Sequence, residues 1–243
     1  MLGLGSYISY SEGDIFELKD IPSLVSHLQV NVGFRTGTVG DTISVEEGEA
    51  VDKWYDRKAG LDWDAAADSQ RPVYKSGGLD FDGVNDSLDV GQQLSLTTFH
   101  FFMVIDLEGA SNETAVGVNG SSNFLRFNKG GNANEMRYKF GSSSPTDLTV
   151  TTSSNIPTGK FLFELSRTSA GSNNLTTIFD GSTVSTDTLD VTKDWIIRNI
   201  GAQSPGGANP AEGIIFEMAV FDKALEGADL TNARADIQAR NGL

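Results

Sequence analysis

Three aspartates lie close together in residues 61–68 and could provide oxygen ligands for a metal ion. Asp62, Asp64 and Asp68 carry carboxylates, and calcium prefers several oxygen ligands of this kind in a loop. The spacing does not match an EF-hand loop, because Ala66 stands where an oxygen ligand is needed. Aspartates also shape turns without any metal, and we favour that role. We therefore predict no cofactor, with calcium at these three aspartates as the alternative.

An aromatic side chain in the same loop could bind a saccharide. Trp63 lies between two of the aspartates, and Tyr55 precedes the loop. Aromatic rings offer a flat apolar face to a ligand, with polar neighbours to orient it. We predict Trp63 as the first glycan-binding candidate and Tyr55 as the second. Packing of Trp63 onto the protein body is the favoured alternative, and Trp54 and Trp195, in strand-like segments, are predicted to be core.

The residues that could perform catalysis do not belong to any recognisable catalytic motif. His27 and His100 are the only histidines, and each lies inside a strand-like segment. Glu164 and Glu217 are single acidic residues among apolar neighbours. The chain has no cysteine, so a thiol nucleophile is excluded, and neither histidine has a motif that would pair it with a serine. These observations predict a protein that is not an enzyme.

Alternating apolar and polar residues predict that β-strands position these groups. Leu79 and Phe81 alternate with aspartates before an Asp-Gly-Val-Asn-Asp turn, and Leu88 and Val90 alternate with polar residues after it. Strands flanking such a turn are typical of a β-hairpin. Residues 99–105 are apolar at nearly every position, which predicts a central strand covered on both faces.

Two later segments complete the prediction. Residues 135–140 alternate apolar and charged side chains, which predicts a half-buried strand that pairs with residues 124–127 across Gly130-Gly131. Residues 228–240 place apolar side chains at helical intervals and end before Gly242, a glycine that favours helix termination.

A combination of residues in the first half resembles the concanavalin A-like, laminin-G-like jelly-roll family. The matching residues are Trp54 and Asp56, Arg71-Pro72-Val73-Tyr74, Gly78, Phe81-Asp82-Gly83, Asn85-Asp86 and Leu88. Residues 213–225 resemble the closing strand of the same family. The resemblance implies an all-β, two-sheet antiparallel jelly-roll sandwich with a short C-terminal helix over residues 21–243, preceded by an N-terminal arm at residues 1–20.

The resembled family includes lectins, glycanases, adhesion modules and viral surface proteins, so it fixes no single function. Its glycanases carry a Glu-x-Asp-x-x-Glu type of strand that holds an acid and a nucleophile on one face. No stretch of this sequence matches that pattern. The resemblance is therefore consistent with binding rather than cleavage, and a glycan-cleaving enzyme is the less favoured alternative.

Charge and composition limit the partners. The chain has 33 acidic and 18 basic residues, giving a formal net charge of -15, which argues against nucleic acid and against an anionic membrane surface. The first residues lack the basic and apolar regions of a secretory signal, so we expect synthesis and assembly in a cytoplasm.

Residues 1–20 are predicted to form an arm that docks onto a partner through Leu2, Leu4, Tyr7 and Ile8. A frayed terminus is the alternative, because glycines interrupt this short apolar stretch.

A cysteine-free, acidic sandwich with such an arm is similar to structural proteins of tailed bacteriophages, particularly marine ones. The resemblance implies a virion protein assembled in the host cytoplasm, as a capsid decoration, head fibre or tail-associated module. Its partners would be other virion structural proteins, further copies of itself in a homo-oligomer, and host-cell glycans. The alternative is a bacterial carbohydrate-binding or adhesion module.

Overall fold

A computed structural model describes residues 16–35, 45–58, 60–118, 123–141, 145–190, 192–205, 207 and 209–243. The four residues predicted to anchor the arm, Leu2, Leu4, Tyr7 and Ile8, lie outside the described residues. Described residues at the end of the predicted arm belong to the folded body, because Leu18 is buried in a short 3-10 turn, Leu18–Asp20.

The described residues form strands, short 3-10 turns and one α-helix at the C-terminus. The strands are β1 (Leu24–Leu28), β2 (Phe34–Arg35), β3 (Lys53–Trp54), β4 (Trp63–Asp64), β5 (Val73–Lys75), β6 (Gly78–Asp82), β7 (Leu88–Leu96), β8 (Phe99–Leu107), β9 (Glu113–Gly117), β10 (Phe124–Phe127), β11 (Glu135–Phe140), β12 (Thr146–Thr151), β13 (Phe161–Arg167), β14 (Leu175–Phe179), β15 (Ser182–Asp187), β16 (Trp195–Ile200) and β17 (Glu212–Phe221). The helix, α1, spans Gly227–Asn241, and the other 3-10 turns are Asp68–Gln70 and Lys129–Gly131. None of the helices in the described ranges combines the length and the apolar character needed to cross a bilayer.

The strands form two antiparallel sheets. Sheet A has the order β15-β14-β13-β8-β17-β6-β5, with β1 also paired to β17. Sheet B has the order β12-β11-β10-β9-β16-β7-β4-β3-β2. Strand β8 lies between β13 and β17, as its apolar sequence predicts. The two-sheet sandwich with a C-terminal helix is confirmed.

The predicted hairpin between Leu79 and Val90 is wrong. Strand β6 belongs to sheet A, where it pairs with β5 and β17, whereas β7 belongs to sheet B. The turn between them therefore crosses from one sheet to the other. Alternation alone cannot separate the two arrangements, because strands that face each other across a core also present one apolar face each.

The core between the sheets contains the inward side chains of both. Trp54, Trp63 and Trp195 are fully buried in it, together with Phe81. Burying one large apolar side chain stabilises a fold by about 1.5–3 kcal/mol, so this layer is the main source of stability in a chain without disulfides. Packing here is close enough to require glycine: a Cβ added to Gly201, whose φ is +81°, would lie 2.1 Å from the Phe81 ring.

The outer face of sheet A is covered by α1. Ala233 and Ile237 of the helix and Leu18 of the N-terminal turn join apolar residues of β8 and β17 in a second cluster. The helix ends at Gly242, with a φ of +67°, as the sequence predicts, and Glu226 at its start makes no side-chain capping bond. On sheet B, the predicted pairing of β10 with β11 is confirmed.

Candidate functional site

The three aspartates predicted as calcium ligands form separate ion pairs. Lys53 Nζ lies 2.9 Å from Asp64 Oδ1 and 3.5 Å from Asp62 Oδ2, so a lysine occupies the space between these two carboxylates. Asp68 pairs instead with Arg71, at 2.6 Å. Across the described ranges, no group of three or more His, Cys, Asp or Glu side chains is arranged to hold a metal ion. Calcium binding in this loop therefore stays a prediction without geometric support.

The two glycan candidates lie where a sugar ring has little access. Trp63 is 0% exposed and pairs with Trp54 across β3 and β4, so its ring packs in the core and cannot serve as an exposed platform. Tyr55 is half-buried, and Lys53 Nζ lies over its ring at 5.5 Å from the centroid. The structure supports the alternative for Trp63, a side chain that packs onto the body of the protein.

The aspartates after β6 shape the turn that crosses the sandwich. Asp82 Oδ1 accepts hydrogen bonds from the backbone N–H groups of Val84 and Asn85, at 2.8 and 3.2 Å. Asp86 Oδ2 accepts the N–H of Asp82 at 3.0 Å, and burial, together with nearby aspartates, raises the pKa of Asp86 to about 7. These bonds confirm turn formation as the role of this acidic segment.

A buried Glu–His–Arg arrangement links sheet A to α1. Glu164 of β13 lies 3.2 Å from His100 Nε2 on neighbouring β8 and accepts two hydrogen bonds from Arg234 of the helix, at 2.7 and 2.8 Å. Burial lowers the pKa of His100. Burial disfavours the Glu164 carboxylate, but its bonds to His100 and Arg234 outweigh this and lower its pKa. We call these three residues the first helix-docking cluster.

A second helix-docking cluster repeats the arrangement. Glu217 of β17 lies 2.9 Å from His27 Nε2 of β1 and accepts bonds from Arg240, at 2.5 Å, and from Asn241, at 2.7 Å. A β-bulge against β8 separates Ile215 from Glu217 and allows Glu217 to point towards the helix. Both glutamates are almost fully buried, so the clusters fasten α1 to sheet A.

From the sequence alone these glutamates are predicted to be isolated, because their partners come from distant parts of the chain. A signal was present nonetheless: a single glutamate in an apolar strand is buried, and a buried carboxylate needs a cation. Basic residues beside the apolar stripe of the C-terminal helix could have been assigned that role.

The outer face of sheet B carries a polar depression of about 360 Å³. We call this feature the sheet B depression; it is lined by Gln93, Ser95, Gly141, Thr192, Lys193, Asp194 and Ile196. Asp194 accepts hydrogen bonds from Ser95 Oγ at 2.9 Å and from Thr97 Oγ1 at 2.8 Å. Hydroxyls, a carboxylate and an amide therefore meet here on a solvent-facing surface. Single polar residues on strands gave no sequence signal for this site.

A basic patch lies on strands β10 and β11 of the same sheet. Around the Phe124 ring, Arg126 lies at 4.4 Å from the centroid, Arg137 at 5.4 Å and Lys139 at 5.9 Å. These four residues define the basic patch. The arginine inside the apolar sequence Phe-Leu-Arg-Phe is the sequence signal for this patch, which the predictions above do not include.

Comparison with known proteins gives the fold but no family. No protein family model matches the sequence, and no curated protein matches it. Among solved structures, Trypanosoma rangeli sialidase in complex with 2,3-difluorosialic acid (a covalent intermediate) matches with a TM-score of 0.56 at 13% identity, covering 90% of this chain and 33% of that one. The same sialidase in complex with sialic acid matches with a TM-score of 0.55 at 14% identity, again over 90% of this chain and 33% of that one.

This chain therefore spans about a third of the length of those sialidase chains. At such low identity the likeness shows a shared fold alone. The viral setting predicted from the sequence gains no support from these structures. The comparisons, taken with the sheet order, are consistent with a two-sheet jelly-roll sandwich in the described residues.

Proposed function

We propose that this protein is a non-enzymatic, lectin-like module that binds a saccharide at the sheet B depression. The observation that carries the proposal is the depression itself. It lies on the outer face of sheet B, whereas α1 covers the outer face of sheet A. Its volume of about 360 Å³ is within the range of small-molecule sites. Sugar hydroxyls both donate and accept hydrogen bonds, which suits the mixture of Gln93, Ser95 and Asp194.

The proposal includes no catalytic step. A glycan-cleaving enzyme needs two carboxyl groups that face the same bond of the substrate. Glu164 and Glu217, the strand glutamates that the sequence offers for this role, are each bonded to a histidine and an arginine beneath α1. Engagement of both carboxylates within the fold supports binding as the whole activity.

Exchange of one depression residue tests the site. Gln93→Ala should weaken binding of the best ligand from a glycan array by about tenfold in calorimetry, because it removes an amide from the site. The matched control is Gln92→Ala, an exposed glutamine next to it that does not line the depression. Equal affinity of the two variants would contradict the assignment of the depression.

The biological setting that we propose is display on a virion, in several copies. Its support is the resemblance to tailed-phage structural proteins, and repeated copies would convert weak saccharide contacts into avidity for host-cell glycans. The predicted arm would attach the sandwich to other virion structural proteins through Leu2, Leu4, Tyr7 and Ile8. Mass spectrometry of purified virions tests this setting: absence of the chain would leave a bacterial carbohydrate-binding or adhesion module as the explanation.

A further inference from the structure

Arg126 of the basic patch is buried without an acidic partner. Only 5% of it is exposed, and no carboxylate in the described part of the chain lies within ion-pair distance. Its Nε donates to Thr114 Oγ1 at 3.1 Å and its Nη2 donates to Gln203 Oε1 at 2.9 Å, and both acceptors are neutral. Burial, followed by the charge of Arg137, lowers the pKa of Arg126 to about 10. A buried cation without a counter-charge is costly, and such groups often mark functional sites.

Of the two neighbouring positive charges in the described ranges, Arg137 is neutralised locally and Lys139 is not. Asp147 is the acidic residue beside the patch, and it forms two hydrogen bonds with Arg137. Lys139 is half-buried and has no ion pair among the described residues. In a chain with 33 acidic and 18 basic residues, carboxylates are available to cover most cations. The patch therefore keeps an excess of positive charge that a ligand could neutralise.

The basic patch and the sheet B depression share a structural support. Asn123, the residue before Phe124, is fully buried, and its Oδ1 accepts N–H groups of Gly141 at 3.0 Å and Ile196 at 3.1 Å. Gly141 and Ile196 both line the depression. One side chain thus hydrogen-bonds the start of β10 to two residues that line the depression, and the basic patch begins at the next residue, Phe124.

We propose that the basic patch binds the oxyanion of an acidic saccharide, a carboxylate or a sulfate ester. The inference rests on the proposed saccharide-binding function and adds the chemical class of the ligand. Arg137 and Lys139, which are half-buried, donate hydrogen bonds to the oxyanion. Arg126 lies beneath them and supplies positive potential in a site with little water, where a charge acts more strongly than at an open surface.

Calorimetry with paired ligands is the first test. One arm uses an oligosaccharide that contains a uronic acid and its carboxyl-reduced form; the other uses a sulfated oligosaccharide and its desulfated form. The charged member of at least one pair should bind at least about tenfold more tightly, with affinity that falls as salt rises. Comparison of the two arms identifies the oxyanion.

Variants then locate the effect. Lys139→Gln should reduce affinity for the charged ligand by about tenfold and leave the neutral ligand unchanged. Lys223→Gln, an exposed lysine at the end of sheet A, is the matched control and should change neither. Arg126→Met should remove the preference for charge. The variant should still fold, because removal of the unpaired buried cation offsets part of the cost of leaving Thr114 Oγ1 and Gln203 Oε1 without this donor.

The outcomes separate this inference from the function on which it rests. Equal binding of charged and neutral ligands, or equal behaviour of Lys139→Gln and Lys223→Gln, overturns the oxyanion site and leaves saccharide binding intact. Failure of the unsubstituted protein to bind any saccharide overturns both.

Discussion

Removal of Arg234 should destabilise the protein far more than removal of an arginine from an exposed ion pair. In Arg234→Met, the methionine retains most of the apolar contact with sheet A, but the two hydrogen bonds to Glu164 are lost. Glu164 is 0% exposed, so its carboxylate is left with His100 as its neighbour. Breaking a buried ion pair from one side costs about 3–5 kcal/mol.

The lower end of that range applies here, because the Arg234 side chain is 25% exposed and water screens part of the interaction. We expect a loss of about 3 kcal/mol in the free energy of unfolding. For a protein of this size, that corresponds to a fall in Tm of roughly 6–12 °C. Urea denaturation followed by tryptophan fluorescence measures the free energy of unfolding, and the three buried tryptophans provide the signal.

The matched control is Arg198→Met. Arg198 pairs with Asp89 at 2.8 Å on the outer face of sheet B, where the arginine side chain is 36% exposed, so its loss should cost less than about 1 kcal/mol. The double variant Glu164→Gln with Arg234→Met should recover part of the loss, because no buried charge is then left unpaired. A cost for Arg234→Met no larger than that for Arg198→Met, or no recovery in the double variant, would refute the docking role of the cluster.

Four further predictions concern pH, packing and calcium. The pKa of His100 is lowered in the folded chain, so the unfolded chain binds the proton at a higher pH. The free energy of unfolding should therefore fall as pH drops below about 6.5. Urea titrations at several pH values should show a weaker pH dependence of this free energy in His100→Gln. The pKa of Asp86 is raised to about 7, so the contribution of its protonated form to the free energy of unfolding is lost as pH rises through that value. Asp86→Asn should therefore be more stable than the unsubstituted protein at pH 8 but not at pH 4. Gly201→Ala should cost roughly 3 kcal/mol or more in the free energy of unfolding, whereas Gly171→Ala, at an open position, should be within about 1 kcal/mol of zero. Millimolar calcium should leave Tm unchanged, because lysine and arginine side chains already pair with the predicted ligands. A rise in Tm with calcium would instead support calcium binding at these aspartates.

Local patterns in the sequence predict much of the fold, because alternation and helical spacing report directly on which side chains are buried. Met136, Tyr138 and Phe140 are all buried as their alternation indicates. The end of α1 at Gly242 is also predicted from the sequence, because few other residues adopt the left-handed backbone conformation of this glycine. The local sequence does not show to which of two sheets a strand belongs. For this reason the alternation around Leu79 and Leu88 predicts one hairpin, although the two strands lie in different sheets.

The candidate site was less predictable, because its parts meet only in three dimensions. Glu217 and His27 are separated by 190 positions in the chain, and no spacing rule connects residues so far apart. The sheet B depression joins β7, β16 and the residues that follow β11. Conversely, Trp63 looked like a ligand platform because its neighbours in sequence are acidic, although its ring points away from them into the core.

The position of β17 in sheet A has a consequence for biosynthesis. This strand pairs with β8, β6 and β1, which are synthesised before it. These three strands therefore wait for a partner that leaves the ribosome much later. Until residue 221 has emerged, β8 and β6 each lack a neighbour, and open strand edges are sites of aggregation. We therefore expect nascent chains stopped before residue 212 to remain protease-sensitive and chaperone-bound, and the sandwich to complete its folding only after β17 has emerged.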